Sequence, residues 1–81
     1  MIRVFDNHGQ SFDRYTLIVD HDAFGMSANA QSPQGFNQYL GKTEDIDQKS
    51  LGSEPLLAQL PTEVQRAIIE RILECLTLLF P

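Results

Sequence analysis

The sequence predicts an α+β fold: a three- to four-stranded antiparallel sheet packed against a C-terminal helix, with a short helix near residues 33-40, in one domain over residues 1-81. Three observations predict it. Apolar and polar residues alternate with a period of two through the first part of the chain, the pattern of a half-buried strand. The last twenty residues hold a helix start followed by a long run of helix-forming apolar residues. A chain of 81 residues buries about 60 to 65 per cent of its unfolded surface, enough for one core and no second domain.

Ile2 and Val4 alternate with Arg3 and Phe5, and Asp6-Asn7-His8-Gly9 supplies residues that tolerate tight-turn geometry. A first strand and a hairpin turn follow. From Phe12 to Asp20, Tyr15, Leu17 and Val19 share one face while Phe12, Arg14, Thr16 and Ile18 share the other. The first set is expected to face the core. Asp20-His21-Asp22 turns the chain into a third strand over Ala23 to Ala28, which completes an antiparallel meander. Ser32 before Pro33 is a helix start, because the hydroxyl can cap free amides and proline at the first helical position gives up no needed donor. That helix should end at Gly41. Lys42 to Ser53 carries charges and glycine and reads as a solvated loop, with a short strand around Leu51 to Leu56. After Pro61, Thr62 and Gln65 form a capping box, and the helix they start should reach about Leu79.

Stepping 100° per residue from Val64, the apolar residues of this helix cover an arc of about 240°. A small sheet shields one side of a helix, so about a third of the circumference is left over. Either Leu51, Leu56, Leu57 and Leu60 fold back across it, or two chains pair through it. Pairing is the expectation, with Ile69, Arg71, Ile72, Leu76 and Leu79 as interface residues. Arg71 falls inside the apolar arc, consistent with a snorkelling side chain or an ion pair across the interface.

The formal charge is -5, with six Lys and Arg against eleven Asp and Glu, and no basic patch stands out. Nucleic-acid binding draws its affinity from clustered cations, so it is disfavoured; Arg3 and Arg14 on the sheet are the only candidates. The longest apolar stretch, Leu76 to Pro81, is far short of the roughly 20 residues that cross a bilayer. Met1-Ile2-Arg3 leads straight into a strand pattern, and the single cysteine, Cys75, forms no intramolecular disulfide. The expected location is the cytoplasm.

VFDNHG, FDRYT, GMS and SPQGFNQY, in that order over residues 4 to 39, resemble a group of short uncharacterised bacterial and phage-borne proteins. The resemblance implies a bacterial or mobile-element origin. It brings no catalytic or binding residue with it.

Chemistry-bearing constellations are few. His8 lies in the turn before the long strand and His21 in the turn after it, so one tetrahedral metal site cannot hold both. Asp45 and Asp47 begin a calcium-loop pattern that fails at Lys49, Ser50 and Leu56. Gly25-Met26-Ser27-Ala28-Asn29 lacks the last glycine of a nucleophile elbow. Cys75, inside the apolar arc, reads as a packing residue. No metal site, cofactor or catalytic residue is expected.

What remains is the nineteen-residue stretch between Asp22 and Lys42, which holds no charge. Its amides and aromatics can recognise by hydrogen bonding and stacking. The candidate binding residues are Asn29, Gln31, Gln34, Phe36, Asn37, Gln38 and Tyr39, with another protein or a neutral polar ligand as partner. The function expected from the sequence is therefore a small non-catalytic interaction module, homodimeric through its C-terminal helix. The alternative is a small enzyme whose site is completed at a subunit interface, using His8 or His21 with an aspartate of the partner chain.

Overall fold

In a computed structural model, which describes residues 2–9, 12–27, 35–47, 49 and 51–79, four strands form one antiparallel meander. They are β1 (Ile2–Asp6), β2 (Asp13–Val19), β3 (Asp22–Ser27) and β4 (Gln38–Lys42). Single-turn 3-10 helices at Thr43–Asp45 and Leu57–Gln59 precede the one long helix, α1 (Thr62–Leu79). The α+β architecture read from the sequence is the one observed.

The register follows from alternation. Val4 pairs with Leu17 and Leu17 with Phe24, so these side chains share one face. Val4, Leu17 and Phe24, with Tyr15 and Met26, meet Phe36, Leu60, Val64 and Ile68 in the main core beneath α1. The residues between them, Phe5, Ile18 and Ala23, point the other way and pack with Leu40, Ile46 and Leu51 into a second, smaller core. Ile18 is therefore buried, not the solvent-facing partner of Arg14, and the Lys42 to Ser53 region is only partly a solvated loop. Two of its apolar residues cover the far side of the sheet.

Two tight turns set the hairpins. In the β1–β2 turn His8 takes φ 53 and Gly9 φ 76. Asp6 Oδ1 accepts the His8 N–H at 2.8 Å, the local bond that makes Asp a turn starter. The β2–β3 turn is Asp20-His21, with Asp20 at φ 54, a left-handed conformation that Asp tolerates better than most residues.

The expected short helix near residues 33-40 is corrected at its C-terminal end. Residues 38–40 lie in β4, and Phe36 turns into the main core just before it. Positions 33 and 34 lie outside the described residues. Gln38 pairs with Gly25 and Tyr39 with Phe24, so cross-strand packing overrides the helix signal. Gly41, the expected helix stop, is a strand residue at φ 116 beside a register shift.

Residues 51–60 form a strap around the β1 edge. Leu51 belongs to the second core and Leu60 to the first, so the strap passes from one face of the sheet to the other. It meets β1 in a single antiparallel bridge, where Asp6 N–H donates to the Ser53 carbonyl at 2.8 Å. The expected strand around Leu51 to Leu56 is reduced to that bridge. Asn7, 2% exposed, secures it: its Oδ1 accepts the Gly52 N–H at 2.9 Å, while its Nδ2 donates to the Asp13 carbonyl and the Thr16 hydroxyl at 2.9 and 3.0 Å. Arg3 adds a two-pronged contact to Glu54 at 3.0 and 2.8 Å. That pair is half exposed, so solvent screens it and its contribution to stability is small.

Helix α1 starts where Pro61 offers its carbonyl to the Val64 and Gln65 N–H groups, both at 3.0 Å. The Gln65 amide donates to the Leu60 carbonyl at 2.8 Å rather than closing a capping box with Thr62.

Gly52 has no room for a side chain, since a Cβ there would lie 1.9 Å from the Asp6 carbonyl oxygen. Gly52→Ala should push the strap off β1 and destabilise by about 2 to 4 kcal/mol in urea unfolding, the range for strain and lost buried bonds together. Asn7→Ala should cost about 2 to 3 kcal/mol for the orphaned partners it leaves. Because both changes release the same strap, the double variant should fall short of the sum of the two.

Candidate functional site

A groove opens where β3, β4 and the β2–β3 turn meet the middle of α1. Its volume is about 500 Å³. Val19, Phe24 and Cys75 form its apolar floor, while Asp20, His21, Asp22, Tyr39, Lys42 and Arg71 form its rim. Antiparallel pairing places Asp22 opposite Lys42 and Phe24 opposite Tyr39, so the edge strand delivers the cation and the phenol to this end of the sheet.

One rim is a clamp. Asp22 Oδ1 accepts the Tyr39 hydroxyl at 2.9 Å and the Lys42 ammonium at 3.1 Å. The Tyr39 and Lys42 donors hold the Asp22 carboxyl below its ordinary 3.8. The hydrogen bond to Asp22 in turn raises the Tyr39 phenol above 10.0 and the Lys42 ammonium above 10.5. Tyr39 stands 54% exposed, its ring tilted at 59° to Phe24 with centroids 5.6 Å apart.

The other rim is Arg71. Its guanidinium lies 4.9 Å above the Phe24 ring, donates to Asn37 Oδ1 and pairs with Glu74 at 3.1 Å. The arginine inside the apolar arc thus snorkels along its own sheet, with its charge answered within the chain. Beyond it lies a smaller depression of about 210 Å³, reached by Gly35, Asn37, Glu70 and Glu74.

The residues expected from the neutral stretch are dispersed. Asn29, Gln31 and Gln34 lie outside the described residues. Phe36, 1% exposed, is core. Gln38 is exposed on β4, Asn37 bonds Arg71, and Tyr39 enters the groove. Sequence reasoning missed Asp22, Phe24 and Lys42 as a group. The cross-strand register that joins them becomes visible only once β4 is recognised as a strand.

On α1, Ile69, Leu73 and Leu76 are 53, 57 and 46% exposed. At 100° per residue they form a stripe about 120 to 180° round from buried Val64. Of the other expected interface residues, Ile72 packs against the main core and Arg71 faces the groove, while the Leu79 side chain lies outside those described. Leu60 does fold back under the helix, whereas Leu56 and Leu57 stay 72 and 48% exposed.

The histidines sit in turns at opposite ends of β2, as the sequence requires. His8 bonds the Ser53 hydroxyl at 2.6 Å and stands 3.7 Å from Asp6 Oδ2. This serine, histidine and aspartate resemble a hydrolytic triad in composition only. The acid-to-imidazole distance exceeds hydrogen-bond reach, and Asp6 is engaged by Arg14 at 2.9 and 3.3 Å. The cluster is a further fastening of the strap. Arg3 and Arg14 each face a carboxylate of the chain, Glu54 and Asp6. Among the described residues, no group of three His, Cys, Asp or Glu side chains could hold a metal ion, and no helix is long and apolar enough to cross a membrane.

No protein-family model, no curated protein and no solved structure matches this chain.

The sign of each shift in the clamp fixes its pH dependence. Asp22, with its pKa depressed, adds stability above the unfolded value near 3.8 and loses it as pH falls through the lower folded value. Tyr39 and Lys42, with theirs raised, add stability below their ordinary values and lose it as pH rises through the folded ones. In a carboxyl NMR titration, Tyr39→Phe should move the Asp22 midpoint up toward 3.8. An unmoved midpoint would show that the bond does not persist in water.

Proposed function

We propose that this chain is a small non-catalytic interaction module that pairs with a second copy of itself through α1. The observation that carries the reading is the Ile69, Leu73 and Leu76 stripe. It repeats at the four- and three-residue spacing of a helix–helix seam, yet it lies outside both cores. Single exposed leucines are ordinary. Three in register on one helix, opposite a face already committed to the core, form a patch of the kind that associates.

A two-fold pairing brings six such side chains together. Each is about half exposed and has apolar surface left to bury. So small a patch tips the balance toward a weak, reversible dimer rather than an obligate one. The protomer's two cores are complete without the partner, which fits that balance.

Sedimentation velocity on the wild-type chain should show mass rising from protomer toward dimer between about 10 µM and 1 mM, the span of a weak complex worth about 4 to 7 kcal/mol. Leu73→Glu should stay at protomer mass throughout and keep the wild-type unfolding midpoint within a few degrees. A wild-type protomer mass across the whole range would overturn the proposal.

A further inference from the structure

We propose that the second copy lies antiparallel on α1, with Arg66 of each chain placed against the carbonyl end of the other chain's helix. The direction presupposes the self-pairing proposed above, and it adds which end of one helix meets which end of its partner.

The apolar stripe continues into a cation. Arg66 stands three residues before Ile69 and seven before Leu73, so at 100° per residue it lies about 20° from Leu73 and extends the same line toward the start of α1. It is exposed, as are Glu63 and Glu70 beside it. Arg3, Arg14, Lys42 and Arg71 each pair with a carboxylate of the chain, and Arg66 is in none of those pairs.

Direction decides what this cation meets. In a parallel pair related by a two-fold axis along the helices, equivalent positions lie side by side, so Arg66 faces the partner's Arg66 across helix axes about 10 Å apart. Two like charges at the mouth of an apolar seam oppose association. In an antiparallel pair whose two-fold axis passes Leu73, Arg66 sits about 10 Å to one side of that axis. That height is level with position 80 of the partner, just past Leu79, where its α1 ends.

The last carbonyls of a helix have no partner within it and carry the negative end of its dipole, which favours a cation. The last turn of α1 holds no basic residue of its own, whereas the first turn already has Glu63. Each helix thus lacks a cation at its C-terminal end and carries one, in line with the seam, at the height where an antiparallel partner's C-terminal end arrives. The apolar residues agree with this direction. The same axis sets Leu73 against the partner's Leu73 and brings Ile69 level with position 77, one residue from the partner's Leu76. Ile72, partly buried at the inner edge of the seam, comes beside the partner's Ile72.

The test reads direction and charge separately. Spin labels would be placed at Glu63→Cys or at Glu70→Cys, in a Cys75→Ser background that keeps the wild-type rise in sedimenting mass, and label-to-label distances measured by pulsed electron spin resonance at about 1 mM protein. Antiparallel helices set the two Glu63→Cys labels about 30 Å apart along the axis and the two Glu70→Cys labels about 9 Å apart. The first distance should therefore exceed the second by about 10 Å or more, whereas parallel helices make the two alike. Arg66→Gln in the otherwise wild-type chain should weaken the dimer by about threefold or more, because two helix-end contacts are lost at once. Relief of like charge in a parallel pair would tighten it instead. A dimer with equal distances at the two positions, or one that Arg66→Gln strengthens or leaves unchanged, would overturn the direction and leave the self-pairing standing. A wild-type chain that never exceeds protomer mass would overturn both.

Discussion

The buried amide of Asn7 is the interaction on which most of the molecule's shape depends. It is almost fully enclosed, yet it uses both ends: the carbonyl takes the Gly52 N–H, and the amide nitrogen reaches Asp13 and Thr16. A carboxylate at this position would lose the donor, and an apolar residue would strand all three partners without water to replace them. Around this point the other fastenings gather: the Asp6–Ser53 bridge, the His8–Ser53 bond and the Arg3–Glu54 pair. Together they fix where the strap rounds the sheet edge. That in turn fixes where Leu51 enters the second core, where Leu60 enters the first, and where Pro61 starts α1.

With its start fixed, α1 has more apolar circumference than one sheet can cover. The molecule treats its two flanks differently. Toward β4, Arg71 lays its stem and guanidinium on Phe24 and reaches Asn37, so polar and apolar groups share an open groove. On the other flank Ile69, Leu73 and Leu76 remain about half exposed, and the surface stays apolar. The same surplus of apolar residues yields a wet cleft on one side and a dry stripe on the other. The difference is one arginine at a position where period-3.6 reasoning expects an aliphatic residue.

The strands with clear alternation, β1 to β3, and the long helix were legible because each carries its own local pattern. Helix α1 reaches Leu79, as the sequence predicts. β4 was not legible: Gln38-Tyr39-Leu40-Gly41-Lys42 is short, polar at one end and broken by glycine, and Ser32-Pro33 upstream imitates a helix start. Its pairing with β3 is a tertiary fact that no local propensity encodes. The second core was hidden for a related reason. Ile46 and Leu51 stand alone among charged neighbours, and only the sheet's far face explains them. The groove inherits both difficulties. Tyr39 and Asn37 were singled out for their chemistry, but Asp22, Lys42 and Arg71 join them through register and helix phase, which become available only after the fold is known.

Edge strands bear on the proposal that the helix, and not the sheet, meets a partner. An open meander leaves two edges, each a row of unpaired backbone groups that invites another strand. Here both are obstructed. The strap bridges β1 at Asp6, the outer side of that strand's end. β4 is short, bends at Gly41 with φ 116, and ends in Lys42, whose charge is tied down by Asp22. A charged, glycine-bent edge is a poor template for strand addition. The stripe on α1 is of another kind: it presents exposed apolar side chains rather than a row of open backbone groups. Guarded sheet edges beside an exposed apolar helix stripe are what the proposed side-chain-to-side-chain association requires, and a contact of that form can be reversed without unfolding.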